Sequence, residues 1–171
     1  GYNMSFRTEY IQQKFDLGVE SKHVVAARVV IPEADRPFVH HMIVHDCGTQ
    51  DGIIPLNLLS FSQPVKIGLQ ESGNSIGFGA CQGMVYGLLL LLWLMFCFLV
   101  CAHLGFALGG NEFKTFPLVA GYRIGASSLR FMVIEIHLDN PALVKHTISA
   151  GVTLYMTSKF RQHDMGSLAL G

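Results

Sequence analysis

RPFVHHMIVHDC, residues 36 to 47, sets two adjacent histidines, His40 and His41, in an apolar run, with a third, His45, four residues further on. Valine, isoleucine, phenylalanine and methionine in close succession are strand material. An imidazole titrates near neutrality and is costly to bury without a partner. Backbone carbonyls and water satisfy a single strand histidine. An adjacent pair points instead to a metal, because imidazole is the commonest transition-metal ligand. Neighbours on a regular strand face opposite ways. For His40 and His41 to share one ion, the strand must bulge or end there, or the rings must offer different nitrogens.

The bulk composition narrows the setting. With 171 residues the chain suffices for one well-cored domain. Twelve Lys and Arg balance twelve Asp and Glu, so no basic surface for nucleic acid or acidic lipid is implied. Eighteen glycines and six prolines suit an all-β domain with many turns. There is no CxxC pair, and Cys97 and Cys101 fall in the most apolar stretch, where they read as packing residues. The chain begins on Gly and shows no signal peptide, so it is expected to be part of something longer.

Along the chain, residues 6 to 31 hold two strand-like runs, the second from His23 to Ile31. PEADRP, Pro32 to Pro37, is a turn leading into the histidine strand. Residues 53 to 80 read as a long loop with at most one strand, and Ala120 to Ser128 is Gly- and Ser-rich. LRFMVIEIHL, residues 129 to 138, is the clearest strand, with Glu135 and His137 on one face and Ile134 and Ile136 on the other. Asp139-Asn140-Pro141 ends it, and Gly151 to Phe160 is the last strand. His23, His146 and His163 have no metal-like spacing and are expected to be solvated or capped.

One segment departs from this pattern. From Leu88 to Ala102 no charged or strongly polar side chain occurs, which accounts for the mean hydropathy of +0.40 and the charged fraction of only 14%. Such a run reads as a membrane helix, a signal-type segment or a buried helix. Taken from Met84 to Leu108 it reaches the roughly 20 residues a span requires.

VHHMIVHDC, IEIHLDNP and VTLYMTSKFRQHDMGSLALG together resemble the N-terminal domain of the copper type II, ascorbate-dependent monooxygenases, the family of dopamine β-monooxygenase and peptidylglycine α-hydroxylating monooxygenase. The resemblance runs from about Tyr10 to Gly171, apart from the leucine-rich piece, and its strongest element is the pair of motifs set ninety-six residues apart, His41 to His137. It implies an antiparallel β-sandwich of jelly-roll type with about eight strands. It also implies one copper ion held by His40, His41 and His137, with ascorbate as reductant, and His45 at the surface or in the second layer around the ion. Cys47 and Cys81 match a family disulfide, worth about 3 to 4 kcal/mol on the loop-entropy account, and place the chain in the secretory lumen or outside the cell. A second family disulfide has neither of its cysteines here.

The whole of 1–171 is thus expected to be one N-terminal copper domain with no catalytic residue of its own. The family's second domain carries a His-x-His pair and a Met ligand, and no His-x-His occurs in this chain. The electron-transfer half is present, its partner is the missing C-terminal copper domain, and hydroxylation of a small-molecule or peptide substrate by this chain alone is not expected. Leu88 to Gly105 reads as an 18-residue apolar insertion, helical or hairpin in form, because joining Gly87 to Phe106 restores the family pattern. A single membrane crossing there would part His40 and His41 from His137, so a non-spanning insert is favoured over membrane contact. The rival readings are a non-catalytic copper-binding or structural β-sandwich and a small membrane protein built on residues 84 to 108.

Overall fold

The computed structural model describes residues 1–46, 65–67 and 102–166. Among them there are twelve β-strands, one 3-10 turn and no α-helix, and no helix is long and apolar enough to cross a membrane. Cys47, Cys81 and the segment 88–101 lie outside the described residues.

Two five-stranded sheets share one core. The first has the order β5-β2-β9-β4-β6, with β2 at Thr8–Asp16, β4 at Val39–Asp46, β5 at Val65–Ile67, β6 at Ala102–Ala107 and β9 at Phe131–Asp139. All its pairings are antiparallel. The second runs β11-β3-β8-β12, with β7 also against β3. Its strands are β3 at Lys22–Val30, β7 at Phe113–Thr115, β8 at Ala120–Ile124, β11 at Gly151–Thr157 and β12 at His163–Met165. A short ribbon joins β1, Tyr2–Asn3, to β10, Thr147–Ile148.

Alternation decides which side chains go inward. Ile11 from β2, Met42 and Val44 from β4, and Met132, Ile134, Ile136 and Leu138 from β9 meet Ala27 and Val29 of β3 in one buried cluster, with Val152 and Leu154 of β11 packed against it. Residues of opposite parity on β2, β4 and β9 therefore form the outer face of the first sheet, and His41 and His137 are among them.

Several expectations need correction. Strands outnumber the eight expected because five of them are only two or three residues long, too short for a periodic signal. The second sheet is mixed, since β12 runs parallel to β8. Ala102 to Gly105, the end of the expected helical insertion, is strand, because β6 pairs with β4 from Ala107 opposite His41 back to Ala102 opposite His45. Within the Gly- and Ser-rich stretch, Ala120 to Ile124 is strand.

That strand is held by a close contact. His23 is wholly buried on β3, not solvated. Its Nε2–H donates to Asp164 Oδ1 at 2.7 Å, and its Nδ1 accepts the Arg161 backbone N–H at 3.0 Å, so both ring nitrogens are used to hold the returning chain. The imidazole lies against β8 where only glycine fits, for a Cβ at Gly121 would stand 2.6 Å from His23 Nδ1 and 2.7 Å from its Cβ. Gly121→Ala is therefore expected to destabilise the fold by about 1–3 kcal/mol, the usual cost of overpacking, read as a lower urea midpoint.

Candidate metal centre

The histidine pair lies on a β-bulge. In the β4–β9 ladder Val39 stands opposite Leu138, but His41 stands opposite His137, so His40 is an extra residue with no partner position on β9. A bulge sets two consecutive residues against one and breaks the alternation that would send them to opposite faces. Of the routes the sequence left open, the chain takes this one.

The three rings meet through the same atom type. His40 Nδ1 is 3.1 Å from His41 Nδ1, which is 3.3 Å from His137 Nδ1. Donor atoms of the three residues all lie within 4.8 Å of one another, and this is the group able to hold a metal among the described residues. Ring centroids stand 4.8 to 5.4 Å apart with interplanar angles of 58° to 70°, so the rings converge edge-on rather than stacking.

Hydrogen bonding does not account for this convergence. A neutral imidazole has one N–H and one in-plane lone pair. His41 Nδ1 faces two other Nδ1 atoms and can form a proper hydrogen bond with one of them at most. A cation drawing on all three lone pairs removes the conflict. Two imidazole nitrogens about 2.0–2.1 Å from one ion, near the tetrahedral angle, lie about 3.3 Å apart, which matches the two spacings at His41 Nδ1. The donor set therefore fits a first-row transition metal.

Electrostatics favour the ligating form. Burial holds the His41 imidazole below its ordinary pKa, and the charge of a protonated His40 lowers it further. His137 is lowered first by burial and then by His41 and His40, against a small opposite effect of Asp139. Both are neutral at pH 7, with lone pairs available. His40 is exposed, while His41 and His137 are half-buried, so the cluster is open to solvent on one side.

Tyr10, for which no sequence pattern argued, completes the support. It pairs with His137 across the β2–β9 ladder and stacks face to face on its ring, with centroids 4.3 Å apart and planes 3° from parallel. His137 Nε2 is buried with no hydrogen-bond partner among the described residues. The plane of this ring is thus set by stacking rather than by the outer hydrogen bond that usually orients a metal-binding histidine. Strand pairing was the missing signal: nothing in a single sequence puts Tyr10 beside residue 137.

His45 does not join the cluster. Opposite Val133, it lies roughly 13 Å along the strand from His41 at the usual rise per residue. It is buried rather than at the surface, with Nε2 3.9 Å from Glu135 Oε2. Gln12 Nε2 donates to the same Glu135 oxygen at 2.6 Å. Burial pushes the Glu135 carboxyl up, and the Gln12 hydrogen bond partly offsets this. His146 binds Asp35, and His163 is exposed on β12. A groove of about 650 Å³ walled by Phe113 and Tyr155 belongs to the second sheet, away from the histidines.

Comparison with known proteins agrees with this site. Bovine (Bos taurus) dopamine beta-hydroxylase is 29% identical over 156 residues, 90% of this chain and 21% of that protein. The horse (Equus caballus) protein of the same name is 28% identical over 156 residues, with the same coverage. Mouse (Mus musculus) DBH-like monooxygenase protein 1 is 25% identical over 168 residues, 96% of this chain and 23% of its own length. The chain thus spans about a fifth of the length of these relatives. The family description "copper type II ascorbate-dependent monooxygenase, N-terminal domain" matches residues 4–145, which is most of the chain and contains all three clustered histidines. On that match, the chain belongs to the copper type II, ascorbate-dependent monooxygenase family, as its N-terminal domain.

Proposed function

We propose that this chain is the electron-transfer copper domain of an ascorbate-dependent monooxygenase, with His40, His41 and His137 as the ligands. The observation that carries this reading is the meeting of three imidazoles, two of them facing His41 Nδ1 with their own Nδ1 atoms, on the solvent-open outer face of a sheet. Three neutral imidazoles suit copper in both of its oxidation states. Bound there, the metal would supply one-electron cycling, with ascorbate as the donor. The chain's own part is to hold the ligands rigidly: the ladder fixes His41 and His137, the bulge brings His40 round, and Tyr10 clamps the plane of His137.

The finer reading extends beyond the site. The two sheets form a jelly-roll sandwich, and Cys47 pairs with Cys81 in a secretory or extracellular setting. The electron passes to a second copper domain, which performs the oxygen chemistry on a small-molecule or peptide substrate. The relatives' greater length leaves room for such a domain. By itself this chain binds and cycles copper without hydroxylating.

Titration with Cu(II), followed by EPR, is expected to show one bound ion per chain with several nitrogen ligands. His137→Ala should weaken binding by more than the roughly 10–100-fold that loss of an outer-layer partner costs, and remove one nitrogen from the spectrum. Wild-type protein that takes up no copper, or His137→Ala that binds it as tightly, would refute the assignment.

The lowered imidazole pKa values also give a stability signature in metal-free protein. Both histidines protonate more readily unfolded, near 6.5, than in the fold. As pH falls through that value the unfolded state takes up more protons, and stability falls with it until the native groups protonate too. Urea midpoints should therefore decline from pH 7.5 to 5.5 in the wild type. The decline should be shallower in His41→Gln, which removes one of the titrating groups.

A further inference from the structure

The bulge at His40 sits almost at the end of β4, which makes it precarious. On its far side the ladder holds only the Val39–Leu138 pairing and one backbone bond, Asp139 N–H to Phe38 O at 2.8 Å. A slip by one residue would set His40 opposite His137 in regular pairing and turn one of the two adjacent histidines toward the core face. Something outside the ladder must hold the strand end in register.

We propose that Asp35 is the positioning residue that locks this register, and through it the geometry of the three-imidazole site. The inference rests on the copper reading above. Asp35 lies in the 3-10 turn Glu33–Asp35 and is almost fully buried. Its Oδ1 accepts from His146 Nε2 at 2.7 Å and its Oδ2 from the Ser149 backbone N–H at 2.7 Å. Both partners come from the chain that follows β9, the strand of His137. Its backbone carbonyl accepts the Phe38 N–H at 2.9 Å, and the Phe38 ring stacks on His146 with centroids 4.7 Å apart. One carboxylate thus ties the entry to the His40–His41 strand to the exit from the His137 strand.

The exit is rigid enough to serve as an anchor. Asn140 is buried, and its side chain both donates to Val144 O and accepts from Val144 N–H, each at 3.0 Å. Its backbone N–H donates to Arg7 O at 2.6 Å, which fixes the start of the loop to the chain entering β2. Arg36 adds a second tie from the turn, its Nη1 2.6 Å from Glu112 Oε1. The loop therefore presents His146 at a fixed place, and Asp35 transfers that position to the strand end.

The test measures copper affinity and EPR on the full chain. Asp35→Ala is expected to weaken copper binding by roughly 10–100-fold, the range for outer-layer partners of metal ligands, and to alter the nitrogen hyperfine pattern at saturating copper. Simple loss of stability would not change that pattern in the folded fraction. Asp35→Asn should restore most of the effect, since its amide can accept from Ser149 N–H and donate to a His146 in the other tautomer. His146→Ala, at a partly exposed position, keeps the Ser149 bond and should shift the spectrum the same way by less, which covers the case in which Asp35→Ala does not fold. Wild-type affinity and spectrum in folded Asp35→Ala, or in His146→Ala should the former not fold, would overturn the inference alone. A wild-type chain that binds no copper would overturn the metal reading and this inference with it.

Discussion

The site depends on a single extra residue in a strand. Two successive side chains on a regular strand diverge, so no adjacent pair can share an ion while the pleat is intact. Placing His40 and His41 together opposite His137 breaks the pleat at one point and leaves the rest of β4 in register, with Met42 and Val44 still in the core. The bulge stands at the strand's start, where few ladder contacts are lost. In exchange, the anchoring that a longer flanking ladder would give must come from the turn before it and the loop after β9.

The two faces of the first sheet divide the labour. The inner face is dominated by Ile11, Met42, Val44, Ile134, Ile136 and Leu138, with Glu9 buried among the strand residues of the same parity, and most of the fold's stability lies there. The outer face carries Tyr10, Gln12, His41, His45, Glu135 and His137. Because the clustered histidines stand on that outer face, the core does not need a metal in order to pack. Bound metal would stabilise by mass action, more so the tighter it binds, and its absence would leave a folded sheet with three crowded imidazole rings.

Much of this was legible in the sequence, for reasons that differ by residue. The alternation in LRFMVIEIHL fixed the strand and the face of His137, and the His pair amid β-branched residues signalled both a strand and a candidate metal site. The requirement for a bulge followed from geometry alone, although its realisation through matching Nδ1 atoms did not. Long-range pairing was illegible: Tyr10 stacked on His137, Gln12 bound to Glu135, and His23 buried between Gly121 and the Asp164 strand. The sequence does show Asn140-Pro141 as a strand stop, but not that the Asn140 side chain closes a loop whose far end holds His146 against Asp35.

Strand order also bears on the leucine-rich stretch. β4 and β5 precede it, β6 and β9 follow it, and all four belong to one hydrogen-bonded sheet. The pairing of β4 with β6 is direct, with His41 opposite Ala107. Strands joined in this way lie on the same side of any bilayer, so β4 and β6 are not parted by one. The ladder that brings His41 beside His137 is the same ladder that imposes this limit. A three-histidine cluster built across β4 and β9 and a single transmembrane passage between those strands are therefore mutually exclusive, and the described sheet has the cluster.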